Sequence, residues 1–185
     1  MWMSDRPLTQ QALATSLASL PSILPSATQI PFLRAFWLTM SREWTNIDVL
    51  RMEKFLLLTR RYLGASFQVL KEGEWKEERV KEMLGLLGEV PLNVGEMRIP
   101  NGLRYHVIDI YVDELEKMGI LGEDAEVEEG LLEKMLEPLR TLAEGSPTKT
   151  VRSKAKEALG DERLPGNEKV EVEKDEEDEG WQGFD

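Results

Sequence analysis

The stretch Pro31–Phe55, PFLRAFWLTMSREWTNIDVLRMEKF, reads as two amphipathic helices meeting at a turn. In its first half Phe32, Leu33, Phe36, Trp37, Met40 and Trp44 fall within an arc of about 140° on a helical wheel, with Arg34 and Arg42 opposite. The spacing of Thr45 and Asp48 matches a capping box, and either Thr45 or Asn46 is placed to cap the next helix. From Ile47 onward, apolar residues (Val49, Leu50, Met52, Phe55 to Leu58, Tyr62 and Leu63) spread around nearly the whole circumference. This second helix is therefore expected to lie between neighbours. Its exception is a narrow stripe of Arg51, Lys54 and Arg61, expected to open to solvent along one groove and to form the main docking strip.

Outward from this joint, apolar residues keep helical spacing, and runs with alternating strand periodicity are missing. Helices are expected at roughly Thr9–Leu20, Pro31–Trp44, Ile47–Leu70, Lys76–Glu89, Gly102–Met118, Val127–Ala143 and Thr148–Leu159. Asn101 is placed to cap the fifth of these, and Pro138 to kink or divide the sixth. Arg104 and Glu114 project into the apolar arc of the fifth helix. Burying either alone would cost several kcal/mol, so each is expected to meet an opposite charge. The fold class is all-α. Short connections favour antiparallel helical pairs, arranged as a HEAT-like α-solenoid or as an irregular helical bundle, although no clean repeat period recurs.

The 185 residues suffice for one sizeable core, and two regions are expected: a helical scaffold domain over residues 1–164 and an acidic, disordered tail over residues 165–185. Of the formal net charge of −12, Gly166–Asp185 supplies −7 through nine acidic and two basic residues, leaving −5 for the rest. Within the tail, Trp181 and Phe184 are candidate anchors for a peptide-like contact. The balance reverses in Pro31–Leu63, where Arg34, Arg42, Arg51, Lys54, Arg60 and Arg61 face Glu43, Asp48 and Glu53. Zero cysteines remove disulfides, thiolate metal sites and thiol nucleophiles, and one histidine removes a histidine-rich metal site. No apolar run approaches the ~20 residues that span a bilayer, so no membrane partner is expected.

Residues 32–63, FLRAFWLTMSREWTNIDVLRMEKFLLLTRRYL, resemble the eukaryotic ribosomal RNA-processing protein 1 family. PNGLRYHVIDIYVDELEKMG at residues 100–119, SFQVL at residues 66–70, Trp75 and the opening MWMSDRPL follow the same family order, so the resemblance covers roughly Met1 to Leu159. It implies a helical, noncatalytic assembly factor of the precursor large (60S) ribosomal subunit, needed for pre-rRNA processing. It also implies a place in the nucleolus, within the nucleus, with pre-60S assembly factors and pre-rRNA as partners. No cofactor, metal or small-molecule substrate is implied. In that family MWMSDRPL follows further helices, and animal members carry a long basic C-terminal extension. The resemblance thus implies a fragment, a shortened gene model or a truncated variant.

Arg34, Arg42, Arg51, Lys54, Arg60 and Arg61 are the candidate rRNA or partner contacts, because guanidinium groups bind phosphates in a bidentate manner and each contact releases condensed counterions. Of these, Arg42 and Arg51 match the family motif. The competing reading is ordinary surface charge paired with Glu43 and Glu53. Lys149, Arg152 and Lys156 form a second candidate patch on one side of a short helix, against the commoner reading of a solvated face. His106, Asp109 and Asp113 share a helical face where a divalent ion would support metal-assisted phosphodiester cleavage. Glu116 and Lys117 on the same face make it an ordinary polar surface, and one helix does not supply the oxygen-rich enclosure magnesium needs. A second functional reading is a protein-only adaptor that uses its acidic tail to capture a basic ribosomal or assembly protein.

Overall fold

The computed structural model describes residues 1–121 and 130–167, and every regular element among them is helical. The elements are α1 (Pro7–Ala18), α2 (Leu20–Ile23), α3 (Ser26–Glu43), α4 (Met52–Glu72), α5 (Glu77–Glu89), α6 (Asn101–Met118), α7 (Leu131–Gly145) and α8 (Lys149–Leu159). The all-α expectation holds. Several boundaries differ, each for a local reason.

At the joint after α3, Trp44–Asn46 and Val49–Arg51 form two short 3-10 turns, so α4 begins at Met52 rather than Ile47. The cap is neither Thr45 nor Asn46: the Asp48 carboxylate accepts the Leu50 N–H at 2.9 Å, and Ile47 and Asp48 are extended. Val49 and Leu50 consequently stand 84% and 92% exposed, against the expectation that the whole helix is enclosed. Pro31 lies inside α3, which begins five residues earlier at Ser26. Pro100 occupies the cap position expected of Asn101, which is itself helical and accepts a hydrogen bond from Arg104. Helix α7 runs unbroken through Pro138 to Gly145, and residues 127–129 of its expected start lie outside the described residues.

Contacts between helices sort them into two rows. Lys54 and Tyr62 of α4 reach Trp2 and Leu17 around α1, in that order. Leu56, Arg60 and Lys71 of α4 meet His106, Glu114 and Met118 of α6 in the same ascending order. Asp109 and Asp113 of α6 likewise meet Lys154 of α8 and Arg163 beyond it. Helices α1, α4, α6 and α8 therefore run parallel in one row. In the other, Arg79 of α5 donates to Ser26 and Gln29 of α3 while Arg34 of α3 reaches Glu89 of α5, and Glu77 of α5 meets Lys134 of α7. Successive long helices alternate between the rows, but their lengths vary from 11 to 21 residues, so the stacking is irregular.

Between the rows, Leu33, Trp37, Leu63, Phe67, Met83, Leu86, Leu103 and Tyr111 are fully buried. Phe36 stacks on Tyr62 with ring centroids 3.5 Å apart, a pairing that contributes about 1 kcal/mol beyond its burial. The turn from α4 to α5 places Glu74 and Trp75 at φ of 57° and 54°, and this conformation brings the Trp75 N–H to Leu70 O at 2.9 Å. Gly119, at φ 74°, closes α6 in the left-handed conformation glycine favours.

Candidate interaction surface

The central cationic strip is dispersed by the fold rather than presented as one groove. Lys54 is 5% exposed, and its ammonium donates to the carbonyls of Trp2 and Ser4 at 2.9 Å, with Asp5 at 3.7 Å. The solvent opening expected of the stripe does not exist at this position, because Lys54, in the first turn of α4, lies under the N-terminal segment. Arg51 folds back to Asp48 at 3.1 Å and lies 4.6 Å over the Trp2 ring. Arg61 alone of the three is exposed, and nothing among the described residues pairs with it.

The flanking cations divide in the same way. Arg34 pairs with Glu89 across to α5, and Arg42 with the adjacent Glu43 while keeping 72% of its side chain exposed. Beside Arg42, hydrogen bonds from Arg42 and then Asn46 hold the Glu43 carboxyl below its usual range. Arg60 bridges Asp113 and Glu114, each at 2.7 Å. In the second patch, Lys149 and Lys156 are exposed with no pairing among the described residues, whereas Arg152 donates to the carbonyls of Ser146 and Pro147 and so caps the entry to α8. The expected tail anchors Trp181 and Phe184 lie outside the described residues.

Glu114 meets the opposite charge that its position demanded, from Arg60 on α4 and Lys117 one turn along. Arg104 does not. Its guanidinium is satisfied by the carbonyls of Asn93, Glu96 and Ile99 and by the Asn101 side chain, a neutral cradle formed by the loop that enters α6. Burial accordingly lowers its pKa, an effect the Glu96 charge opposes. An arginine network that the sequence reading missed ties the described C-terminal end to α6: Arg163 binds Asp113, Glu116 and Asp161. Burial raises the Asp113 carboxyl, but hydrogen bonds from Arg163 and Arg60 overcome that and leave it below its ordinary value. Asn167 completes the fastening by donating to Leu159 O and Asp161 O.

His106, Asp109 and Asp113 diverge to Leu56 O, Lys154 and the two arginines respectively. Among the described residues no group of carboxylates and histidine is arranged to hold a metal ion, and no helix is long and apolar enough to cross a membrane.

A feature that sequence reading passed over lies between α5 and α7: an open cavity of about 700 Å³ with a floor of Val80, Leu84, Leu92 and Pro138. Gly85 and Gly88 of α5 line it as well. The signal in the sequence was the pair of glycines three apart, Gly85 and Gly88, inside an amphipathic helix.

These observations define an all-α protein whose described surface carries dispersed outward cations and an open groove between α5 and α7. Comparison with known proteins places it more narrowly. The family model described as nucleolar protein, Nop52, matches residues 1–182, and the chain belongs to that family of nucleolar proteins. Human ribosomal RNA processing protein 1 homolog B is 47% identical over 120 residues, covering 64% of this chain and 16% of its own length. The human homolog A is 42% identical over 120 residues, covering 64% and 26%. The Drosophila melanogaster homolog is 33% identical over 124 residues, covering 63% and 17%. The chain thus spans about a sixth to a quarter of the length of these relatives. Its place is the nucleolus, and its field is ribosome biogenesis and rRNA processing.

Proposed function

We propose that this chain is a noncatalytic assembly factor of the precursor large (60S) ribosomal subunit, holding pre-60S assembly factors and pre-rRNA together while processing proceeds. The observation that carries the rRNA contact is what the fold leaves outward of the nine candidate cations: Arg61, Lys149 and Lys156 without a pairing among the described residues, and Arg42 mostly exposed beside Glu43. The family and its relatives, named for rRNA processing, support the setting. Binding rather than bond breaking is the work, since His106, Asp109 and Asp113, the candidates for metal-assisted cleavage, are engaged in ion pairs and a backbone hydrogen bond.

Phosphate contacts made by such cations release counterions and weaken steeply with salt. Reversing Arg42, Arg61, Lys149 and Lys156 to glutamate is expected to release the folded protein from precursor particles at lower salt than the parent chain. Unchanged retention across the salt series, with an unchanged circular dichroism spectrum, would remove these cations from the contact.

The internal neutralisation of Lys54, Arg51 and Arg60 favours a second reading, a protein-only adaptor whose nine-carboxylate tail segment captures a basic partner. Ultraviolet crosslinking within purified particles separates the two. RNA crosslinked to α3, α4 or α8 supports the first, and crosslinks confined to basic proteins from residues 168–185 support the second.

A further inference from the structure

The groove between α5 and α7 is built in a way the fold itself does not require. Glycine inside a helix costs about 1 kcal/mol relative to alanine, so two in α5 weaken it unless their lack of a side chain is used. Neither Gly85 nor Gly88 has a positive φ. A Cβ built on either meets nothing within 4 Å. Among the described residues, no neighbour needs the space they leave. Both line the open cavity, where they deepen a floor of Val80, Leu84, Leu92 and Pro138.

The rim supplies the second part of the argument. Glu77 and Lys134 bridge the two helices at 2.9 Å across one end of the groove. Along its length stand Glu78, Glu137 and Lys81, none of which enters an ion pair among the described residues, so the rim's three carboxylates outnumber its two ammonium groups. An apolar floor between two helices, with excess carboxylate at the edge, is complementary to an amphipathic helix whose apolar face enters the groove and whose flanks are basic. Helix α5 is 13 residues long, so the occupant spans about three to four turns, with apolar anchors at i, i+3 or i+4, and i+7. The chain's own tail is a poor occupant, since its nine acidic residues would meet a rim of net negative charge.

We propose that the α5–α7 groove is a docking site for a basic amphipathic helix of a partner protein, with Gly85 and Gly88 providing the depth for its apolar face. This rests on the assembly-factor reading and names the class of protein partner that reading leaves open.

The probe is a synthetic helix of about four turns with leucines at i, i+3, i+4 and i+7 and lysines on the flanks, labelled for fluorescence anisotropy and titrated with the full chain. Saturable binding is expected, weakened about tenfold or more by Gly88→Leu, which fills the groove from an open position and leaves the melting temperature unchanged or higher. Gly85→Ala serves as the control that raises helix propensity with little filling. Absence of saturable binding overturns the proposal, as does binding undiminished in Gly88→Leu or equal binding of a glutamate-flanked peptide. If Trp181→Ala with Phe184→Ala raises peptide affinity about tenfold, the tail is the occupant and the choice of a foreign helix is wrong. A dimer in sedimentation equilibrium that Gly88→Leu dissociates would assign the groove to a second copy instead. The assay contains no ribosomal particle, so its failure removes the groove and leaves the assembly reading standing. Failure of the charge-reversal experiment does the converse.

Discussion

Buried charges show where single residues could be read from sequence and where they could not. The apolar arc of α6 flagged both Glu114 and Arg104 as needing partners, because helical periodicity fixes which way a side chain points. It cannot say what lies opposite. Glu114 meets two cations while Arg104 is cradled by backbone carbonyls, and that difference depends on the path of residues 93–100, which no periodicity encodes. Glu114 also sets the tolerance of α4 to a side chain facing it: a Cβ at Gly64 would lie 2.7 Å from the Glu114 carboxylate. A carboxylate at the end of a flexible chain would ordinarily swing away, but Arg60 and Lys117 pin this one. Gly64→Ala is therefore expected to gain nothing in the parent protein and about 1 kcal/mol in a Glu114→Ala background, where only helix propensity remains. Chemical denaturation of the four proteins measures the cycle, and a coupling near zero would show that Glu114 is not held. His106 makes a pH prediction nearby. Burial lowers its pKa, partly offset by the hydrogen bond to Leu56 O, so the folded state binds fewer protons than the unfolded chain. This contribution is fully present above the unfolded value of 6.5 and is lost as pH falls from there to the depressed folded value, with a slope of at most about 1.4 kcal/mol per pH unit. In His106→Gln the slope between pH 6.5 and 5 should flatten, as followed by urea midpoints; an equally steep decline would assign it to other groups.

At the scale of the element, periodicity recovered the long helices and missed the devices that start and stop them. The segment after Trp44 looked like a capped helix because Thr45 and Asp48 are spaced for it, yet Asp48 accepts from Leu50 two residues on and delays α4 by a turn. Short-range side-chain to backbone bonds compete with helix on equal terms, so spacing alone does not choose between them. The delay matters for the basic stripe. It turns Lys54 beneath the N-terminal segment, where the ammonium fastens the approach to α1 through two carbonyls. A charge reversal at Lys54 would bury an unpaired carboxylate and report on folding rather than on binding. The informative change is Lys54→Met, which keeps the length of the side chain and removes the donors. It should cost about 1–2 kcal/mol, speed chymotryptic cleavage after Trp2, and shift tryptophan emission to the red as the segment loosens. Unaltered chymotryptic cleavage after Trp2 would mean that packing of Trp2 on Phe55, with rings 6.1 Å apart, holds the segment without the lysine.

The whole molecule is polarised along its chain, and sequence showed this polarity more clearly than it showed the arrangement of helices. Charge counts along the chain need no tertiary knowledge, which is why the basic character of Pro31–Leu63 and the acidity of Gly166–Asp185 were plain. The two parallel rows arise from contacts between residues some 45 to 57 positions apart, such as Arg60 with Glu114 and Glu77 with Lys134, and only local periods were readable. The same long-range pairing decided which cations remain outward, so the candidate surface was legible as a list but not as a shape. Polarity nevertheless sets up a test of how the two ends act together. If Arg61, Lys149 and Lys156 meet rRNA, the −7 segment repels the same phosphates and lowers affinity through a long-range term that salt screens. Replacing the carboxylates of residues 168–179 by their amides in the full chain should then raise affinity for an rRNA fragment severalfold at low ionic strength. The gain should disappear near ~0.5 M salt, where the screening length falls to about 4 Å. Anisotropy titrations at several salt concentrations measure it. Should the amide variant bind RNA no better at any salt yet lose its grip on basic protein partners, the tail is the contact itself, and the adaptor reading takes the place of the rRNA-bound scaffold.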